Sequence, residues 1–409
     1  MRKMKDSNVS YIGQIPIDWD ITRNKNVFAC SKQLVGEDSC NTQLLSLTTK
    51  GVKEKDINNP EGKLPASFDT YQYVCKDNLV MCLFDLDVSA VFSGISPFEG
   101  MISPAYRVLT CKENIVPKFA DYWFRYISDG RKFTHYAKNI RYTLNYEDFS
   151  TLPIILPPLE IQKNICNYLD SKCSKIDTLI EREQAVIEKL KEYKLSVINE
   201  TIVDVDGDKC HLGYIATMKN GLNFTSNNSN KTIKFLGVGD FKDHFVLDRE
   251  DMFSDIIIAD DIADDYLLKS GDIVFVRSNG SKELVGRSIM VENIDFPLTY
   301  SGFCIRFRNN RTDCLNDMYL LYFFRSPYFR KQLEKYSQGS NISNINQDLL
   351  SQISITIPSM DVQLKAVDKI NKLCNKIDAA LSHKQSVIDK LTEYKKSLIY
   401  EVVTGKKEV

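Results

Sequence analysis

Two short polar segments in the second half of the chain are the clearest candidates for chemistry. FVRSNGSKELVGR (275–287) carries arginine, lysine, serine and asparagine around a glycine turn, and SQGSNISNINQ (337–347) is rich in hydrogen-bond donors and acceptors. Lysine and arginine neutralise phosphates, whereas arginine, lysine, asparagine, glutamine and serine can also bind the edges of bases. Solvated loops without a ligand have similar compositions, so both interpretations stay open for each segment.

A basic segment with interleaved tyrosines lies in the first half, between Arg125 and Arg141. It holds five arginines and lysines, and Asp129 is its one acidic residue. The candidate nucleic-acid contacts come from these segments, with Tyr142 and Lys50 of the first half added, and they are Lys50, Arg141, Tyr142, Arg277, Ser278, Asn279, Ser281, Lys282, Asn341 and Ser343.

Motifs for catalysis are missing from the sequence. There is no GxxxxGK[ST] phosphate loop, no HExxH or other metal-ligand spacing, and no GxSxG nucleophile turn. Asp85 and Asp87 in LFDLDVS could form the carboxylate pair of a nuclease, although alternation on a strand or turn produces the same spacing. An enzyme with a split catalytic centre therefore stays open as an alternative, and we expect neither a catalytic nor a metal-binding residue.

Length and composition indicate several folded domains. The 409 residues exceed the usual size of one core, and 43% hydrophobic with 26% charged residues is the balance of an ordinary globular protein. Because the net charge is −1, a nucleic-acid surface would have to be local. No apolar run is long enough to span a bilayer. Eleven cysteines without a CxxC pair favour free thiols in a reducing cytoplasm.

The chain contains an internal repeat with a constant offset of 201 residues. Residues 173–200 match residues 374–401 at 15 of 28 positions without a gap. The chain therefore alternates two variable blocks of about 150 residues with two similar blocks of about 50.

The two similar blocks are predicted to be long helices. Neither glycine nor proline falls between Leu159 and Asp206 or between Met360 and Thr404. Their apolar residues recur at the three- and four-residue spacing of a coiled-coil seam. We expect helix packing or partner contacts from Ile176, Ile180, Ile187, Leu190, Ile377, Leu381, Ile388 and Leu391.

Opposite charges interrupt the seam at repeat-equivalent positions, Glu183 and Lys384. Such charges favour packing of the two helices within one chain, because like charges would meet in a parallel homodimer. A solvated face at the edge of the seam is an equally open interpretation. Each variable block must join both helices, so connectivity favours an antiparallel pair.

The variable blocks are predicted to share one mixed α/β fold. Each contains strand-like runs followed by an aromatic, amphipathic segment with the pattern Tyr-aromatic-aromatic-Arg, at 122–125 and 322–325. The predicted fold class is α+β, with two mixed α/β domains separated by two long, antiparallel coiled-coil helices in a pseudo-two-fold internal repeat. The predicted segments are 1–152, 153–203, 204–353 and 354–409.

This layout resembles the specificity subunits of type I restriction–modification systems over nearly the whole chain. The segments that carry the resemblance are SYIGQIPIDW (10–19), SGDIVFVRSNGSKELVG (270–286), PPLEIQ (157–162) and the EYKxS helix ends (192–196 and 393–397). The second helix start, PSMDVQ, departs from the family's PPLxEQ pattern but retains Gln363.

The resemblance implies a DNA sequence-specificity subunit that has no catalytic activity of its own. Residues 1–152 and 204–353 would be target-recognition domains 1 and 2, each reading one half of a bipartite site in double-stranded DNA. Residues 153–203 and 354–409 would be helical spacers that set the spacing and dock two methyltransferase subunits. S-adenosylmethionine is expected on the methyltransferase, and ATP and Mg on the partner subunits, which include a restriction/translocase subunit; no cofactor is expected in this chain. The alternative is a coiled-coil protein-interaction scaffold without DNA readout.

Overall fold

The computed structural model forms two compact units. Unit 1 is Met1–Glu183 with Ser386–Val409, and unit 2 is Gln184–Gln385. Both divisions fall inside the long helices, so each unit holds one globular domain and one half of each helix. The residues described are 3–31, 33–49, 51–56, 65, 67–88, 92–137, 142–203, 205–224, 231–241, 244–258, 261–281, 283–336 and 343–409.

Domain 1 is the globular part of unit 1 that precedes the first long helix. Its strands are β1 (Met4–Asp6), β2 (Gln14–Pro16), β3 (Asp20–Arg23), β4 (Phe28–Ser31), β5 (Leu45–Thr48), β6 (Gly51–Glu54), β7 (Gln72–Val74), β8 (Leu79–Met81), β9 (Ser93–Ile95), β10 (Gly100–Ile102), β11 (Arg107–Cys111) and β12 (Pro153–Leu156). Its helices are α1 (Asn24–Val27), α2 (Pro117–Asp129) and α3 (Tyr146–Thr151).

Domain 2 is the globular part of unit 2 between the long helices. The first long helix, α4 (Leu159–Val203), precedes the domain, and the second long helix follows it. Its strands are β13 (Asp208–His211), β14 (Ala216–Asn220), β15 (Lys231–Leu236), β16 (Val246–Leu247), β17 (Ser254–Ile258), β18 (Ile273–Val276), β19 (Ser288–Val291), β20 (Leu298–Tyr300), β21 (Cys304–Asn309) and β22 (Ser354–Ile357). Its helices are α5 (Asp317–Arg325), α6 (Pro327–Tyr336) and α7 (Gln347–Gln352), and the second long helix is α8 (Met360–Val403).

The two domains are built on the same central sheet. Domain 1 has the strand order β4-β11-β8-β9, and domain 2 has β14-β21-β18-β19-β16. The registers correspond, because Val80 lies opposite Val108 in domain 1 and Val274 lies opposite Arg306 in domain 2. Each domain also has smaller sheets, which are β17-β15-β20 in domain 2 and, in domain 1, the pairs β5-β6 and β10-β7 joined by the parallel bridge between Leu44 and Met101. The prediction of one repeated, mixed α/β fold is therefore confirmed.

Continuous apolar runs explain why β8 and β18 lie at the centre of these sheets. Each residue of both strands is fully buried, as expected for a strand covered on both faces. On one face lies the aromatic helix of each domain, α2 or α5. The rings of Phe124 in α2 and of Phe324 in α5 are fully or almost fully buried there, so the shared aromatic pattern forms the core between sheet and helix.

The two long helices run antiparallel in both units. In unit 1 the first half of α4 shares a core with the second half of α8, where Ile176 and Leu398 are both buried. In unit 2 the second half of α4 shares a core with the first half of α8, where Ile198 and Ile370 are both buried. Uninterrupted helix-forming sequence accounts for their 45 and 44 residues. The division into four segments at 152, 203 and 353 stays a prediction.

Gly405 ends α8 and lets the N-terminal segment pack against it. Its φ of +71° is the left-handed conformation that follows many helices, and a Cβ there would lie 2.4 Å from Cγ of Pro16. Trp19, from the same SYIGQIPIDW segment, is buried in the core of unit 1. This segment therefore covers the end of the second long helix.

Candidate nucleic-acid interface

In domain 2 the structure joins the two polar segments that the sequence singled out. The loop after β18 holds Arg277, Ser278 and Asn279, and its base is closed because Gly286 N donates to Val276 O at 2.9 Å. Ile345 N donates to Arg277 O at 2.9 Å, and Ser278 forms an antiparallel bridge with Asn344. Residues 277–281 and 343–345 therefore form one surface, called the domain 2 loop cluster below.

Short polar side chains dominate this cluster. Asn279 Oδ1 accepts a hydrogen bond from Ser281 N at 2.7 Å, which shapes the glycine turn. Ser281 and Ser343 are exposed, and Arg277, Ser278 and Asn279 are partly exposed. These residues offer donors and acceptors to a ligand in the combination that reads base edges.

An ion pair between the buried Asp272 and the partly buried Arg308 supports the start of β18, the strand that leads into the cluster. Arg308 donates to both carboxylate oxygens of Asp272, at 2.7 and 2.6 Å, and Asp272 also accepts from Lys269 N at 2.7 Å. Hydrogen bonding to this carboxylate raises the pKa of the Arg308 guanidinium. The pair therefore holds a charged arginine against the sheet and fixes the turn before β18.

Domain 1 contains a matching cluster, formed by residues 83–88 and 142–144. Leu144 N donates to Leu83 O at 2.7 Å, and Leu86 N donates to Tyr142 O at 3.3 Å. Tyr142, a predicted contact, is 42% exposed here. Sequence reasoning treated Asp85 and Asp87 only as a possible carboxylate pair and missed that their loop is the counterpart of residues 277–281. The recurrence of Asn145 as Asn346 aligns residues 142–144 with 343–345, the other half of each cluster.

The remaining predicted contacts lie outside the described residues. These are Lys50, Arg141, Lys282 and Asn341. Of the ten candidates, the structure therefore places Tyr142 in the domain 1 cluster and five others in the domain 2 cluster, which are Arg277, Ser278, Asn279, Ser281 and Ser343. Their role as contacts stays a prediction.

A buried glutamine attaches each domain to its long helix. Gln162 Oε1 accepts from Val116 N at 2.8 Å, while its Nε2 donates to Asn114 O at 3.1 Å and to Pro157 O at 2.8 Å. The sequence had marked this residue only as part of the repeat. Its three bonds join the start of α4 to the segment that begins α2.

Gln363 repeats the same three bonds in unit 2. Its Oε1 accepts from Asn316 N at 2.9 Å, and its Nε2 donates to Cys314 O and Pro358 O, both at 2.8 Å. Both glutamines are fully buried. The same buried contact therefore attaches each globular domain to its own long helix.

The Tyr-aromatic-aromatic-Arg motif at 122–125 and 322–325 makes two contacts. The contact of its tyrosine is repeated in both domains, and that of its arginine differs between them. Tyr122 donates to Asp170 at 2.7 Å, and Tyr322 donates to Asn371. Arg125 pairs with the buried Asp121 at 2.8 Å. Its counterpart Arg325 lies 4.3 Å from the centre of the Phe245 ring, and burial, with a contribution from Arg287, lowers its pKa to about 9.

The predicted helix-packing residues fall on buried or half-buried positions of α4 and α8. Ile176, Ile377 and Ile388 are buried, and Ile180, Ile187, Leu190, Leu381 and Leu391 are half-buried. Repeat-equivalent ion pairs flank them. Lys395 of α8 binds Asp177 of α4 at 2.7 Å in unit 1, and Lys194 of α4 binds Asp378 of α8 at 2.7 Å in unit 2. An opposition of Glu183 and Lys384 stays a prediction.

In the described part of the chain, no group of three or more histidine, cysteine, aspartate or glutamate side chains is arranged to hold a metal ion. Over the same residues, every helix is too short or too polar to cross a membrane.

Comparison with known proteins gives a consistent result. A family model described as Type I restriction modification DNA specificity domain matches residues 83–189 and 205–389. The chain is similar to the StySPI specificity subunit of a type I restriction enzyme from Salmonella potsdam, at 27% identity over 134 residues, or 33% of this chain and 28% of that protein. It is also similar to the MjaVIII specificity subunit from Methanocaldococcus jannaschii, at 25% identity over 285 residues, or 63% of each. The chain therefore spans less than two thirds of the length of these relatives.

A solved structure supports the fold independently. This chain superposes with a TM-score of 0.72 on a chain from a structure described as showing complex assembly and conformational transition of the type I R-M system. The match covers 96% of this chain and 99% of that chain at 14% identity, so it concerns the fold alone.

Proposed function

This chain belongs to the type I restriction–modification DNA specificity family, and from that premise we propose that it is the sequence-reading subunit of such a complex. Each globular domain reads one half of a bipartite site in double-stranded DNA. The chain itself catalyses no reaction. Its work is to bind DNA, to hold the two readers, and to bind the subunits that carry the chemistry.

The observation that carries this proposal is the repeated loop cluster. The two clusters share a main-chain hydrogen bond at equivalent positions, Leu144 N to Leu83 O and Ile345 N to Arg277 O, yet Arg277 and Asn279 in domain 2 stand where domain 1 has Leu83 and Asp85. A reader of two different half-sites needs this combination, because position must be constant while the groups facing the bases differ.

The long helices suit a second task, which is binding protein partners. Tyr193 and Tyr394 are repeat equivalents, and each is 54% exposed on its helix. Val186 and Leu195 of α4 are exposed as well. Apolar groups on an exposed helical face mark protein contacts, and their repetition favours two copies of one partner, the methyltransferase. S-adenosylmethionine would bind to that subunit, and ATP and Mg to the partner subunits, among them the restriction/translocase subunit.

The first test is single-molecule sequencing of genomic DNA from cells that express this chain with its methyltransferase. We expect methylation at one split motif, and none when the chain is omitted. A stable complex without a new methylated motif would contradict DNA reading and favour the scaffold alternative. Cleavage of DNA by the purified chain with Mg²⁺ alone would contradict the non-catalytic assignment.

A second test separates readers from spacer. Replacing residues 204–353 by another recognition domain should change one half of the motif and leave the other unchanged. Inserting seven residues into both α4 and α8 should instead lengthen the unspecific gap and leave both halves intact. A changed half-site after helix insertion would contradict the spacer role.

A further inference from the structure

Phe303 is an exposed aromatic side chain beside the domain 2 loop cluster. Its side chain is 56% exposed, and its carbonyl accepts a hydrogen bond from Arg277 N at 2.7 Å. Single exposed apolar residues are common on protein surfaces. The position of Phe303, next to the residue types that read bases, is what sets it apart.

The turn that carries Phe303 is held at several points. Phe303 N donates to Ser301 Oγ at 3.2 Å, and Cys304 N donates to Ser301 O at 2.8 Å. Gly302 N donates to Leu222 O at 2.8 Å, and a Cβ on Gly302 would lie 2.2 Å from Oδ1 of Asn223. The ring is therefore presented on a rigid support, which limits the entropy lost when it binds a ligand.

The side chains of the domain 2 loop cluster, to which Phe303 is joined through the main chain of Arg277, indicate what the ring would meet. Ser278, Asn279 and Asn344 are small groups that donate and accept hydrogen bonds, and such groups distinguish base pairs in the major groove. In that groove the one apolar feature of a base pair is the 5-methyl group of thymine, which phenylalanine can contact. We propose that Phe303 contacts the methyl group of a thymine in the half-site that domain 2 reads. This proposal rests on the proposed function and adds a specificity-determining residue to it.

Domain 1 supplies a natural comparison for this residue. The register that places Val108 opposite Val80 and Arg306 opposite Val274 aligns Ala105 with Phe303. Ala105 is exposed. The same fold therefore accepts alanine at this position, which makes Phe303→Ala a suitable test. Of the two domains, only domain 2 carries a large apolar side chain here.

The test uses the complex of this chain with its methyltransferase and duplexes that contain the motif found by sequencing. Each thymine of the domain 2 half-site is replaced in turn by deoxyuridine, which lacks only the methyl group. For the complex that contains the original Phe303, we expect deoxyuridine at one position to raise the dissociation constant about fourfold. This is the effect of losing one methyl-sized apolar contact. The Phe303→Ala complex should bind both duplexes equally.

Ile257→Ala is the matched control, because Ile257 is 54% exposed on the edge strand β17. This variant should retain the fourfold difference. A domain 2 half-site that contains no thymine would overturn the proposal while leaving the reading role intact. The same holds if, for every variant, affinity falls equally for the thymine and the deoxyuridine duplex. If affinity falls equally for both duplexes and a 2-aminopurine base placed next to the thymine becomes unstacked, the Phe303 ring would instead be inserted between bases. Absence of sequence-specific binding by the unsubstituted complex would contradict the proposed function itself.

Discussion

The loop clusters of the two domains share a main-chain hydrogen bond at equivalent positions and carry different side chains. Leu83 O accepts from Leu144 N in domain 1, as Arg277 O accepts from Ile345 N in domain 2. These bonds involve no side-chain atom, so the residue at either position can change without loss of the bond. A surface that is joined by its main chain can therefore acquire a new ligand preference while the fold persists.

The support beneath the clusters differs as well, while the attachment to the helices does not. Asn78 Oδ1 accepts from Cys75 N at 2.9 Å and its Nδ2 donates to Thr110 at 3.3 Å, in the place where domain 2 has the Asp272–Arg308 ion pair. The buried glutamines, in contrast, make the same three bonds in both units. Divergence thus increases from the helix towards the loops.

The largest effect is expected where the two supports differ. Asp272→Asn leaves Arg308 without its carboxylate and should lower the free energy of unfolding by about 3 kcal/mol. The double variant Asp272→Asn, Arg308→Thr reproduces the neutral pair of domain 1 and should recover most of that loss. Urea denaturation of the whole chain measures both. Arg311→Thr, which removes an exposed arginine, serves as the control, and a double variant no more stable than the single one would refute the equivalence of the two supports.

The second prediction concerns the contact that is the same in both units. Gln162→Ala and Gln363→Ala each remove the partner of one buried and two part-buried main-chain groups, and each should lower the free energy of unfolding by about 2 kcal/mol. Gln184→Ala, on the exposed face of α4, should have almost no effect. If only one of the buried variants were destabilised in denaturation experiments, the repeated contact would not be equivalent in energy.

The third prediction tests whether side chains alone set the reading preference. Arg277→Ala should weaken binding of the complex to its full site by about tenfold and relax base preference only in the half read by domain 2. Fluorescence anisotropy and methylome sequencing measure these effects. Arg249→Ala, in the acidic part of the same domain, should change neither. A loss that is uniform across sequences would place Arg277 at a phosphate instead of a base.

The smallest effect is expected from the repeated ion pairs of the helices. Lys395→Met and Lys194→Met should each cost about 0.5 kcal/mol of unfolding free energy, because both partners are partly solvated. The side chains of Lys395 and Lys194 have nearly equal exposure, 22% and 20%, so we expect nearly equal effects. In 1 M NaCl both differences should shrink. A difference of more than twofold between the variants would show that the helix halves are not energetically equivalent.

The sequence predicted the helices better than it predicted the site. Glycine- and proline-free sequence over 159–206 and 360–404 located α4 and α8, which end at Val203 and Val403. The polar residues near Ser278 and Ser343 were recognised as two separate loops, because composition shows polarity but not proximity. The sequence did not indicate Phe303 as a contact, because a phenylalanine next to a strand is predicted to be buried in the core until its exposure is known.

By itself the sequence determined the internal repeat, the two long helices and the shared α/β character of the variable blocks. These properties follow from residue identity at a fixed offset and from local periodicity, which need no knowledge of distant contacts. Only the tertiary structure decided that residues 277–281 meet 343–345, that Asp85 lies in the matching loop of domain 1, and that Gln162 and Gln363 fix each domain to its helix. The physical reason is that such contacts depend on sheet register and on hydrogen bonds between segments far apart in the chain, which no local pattern encodes.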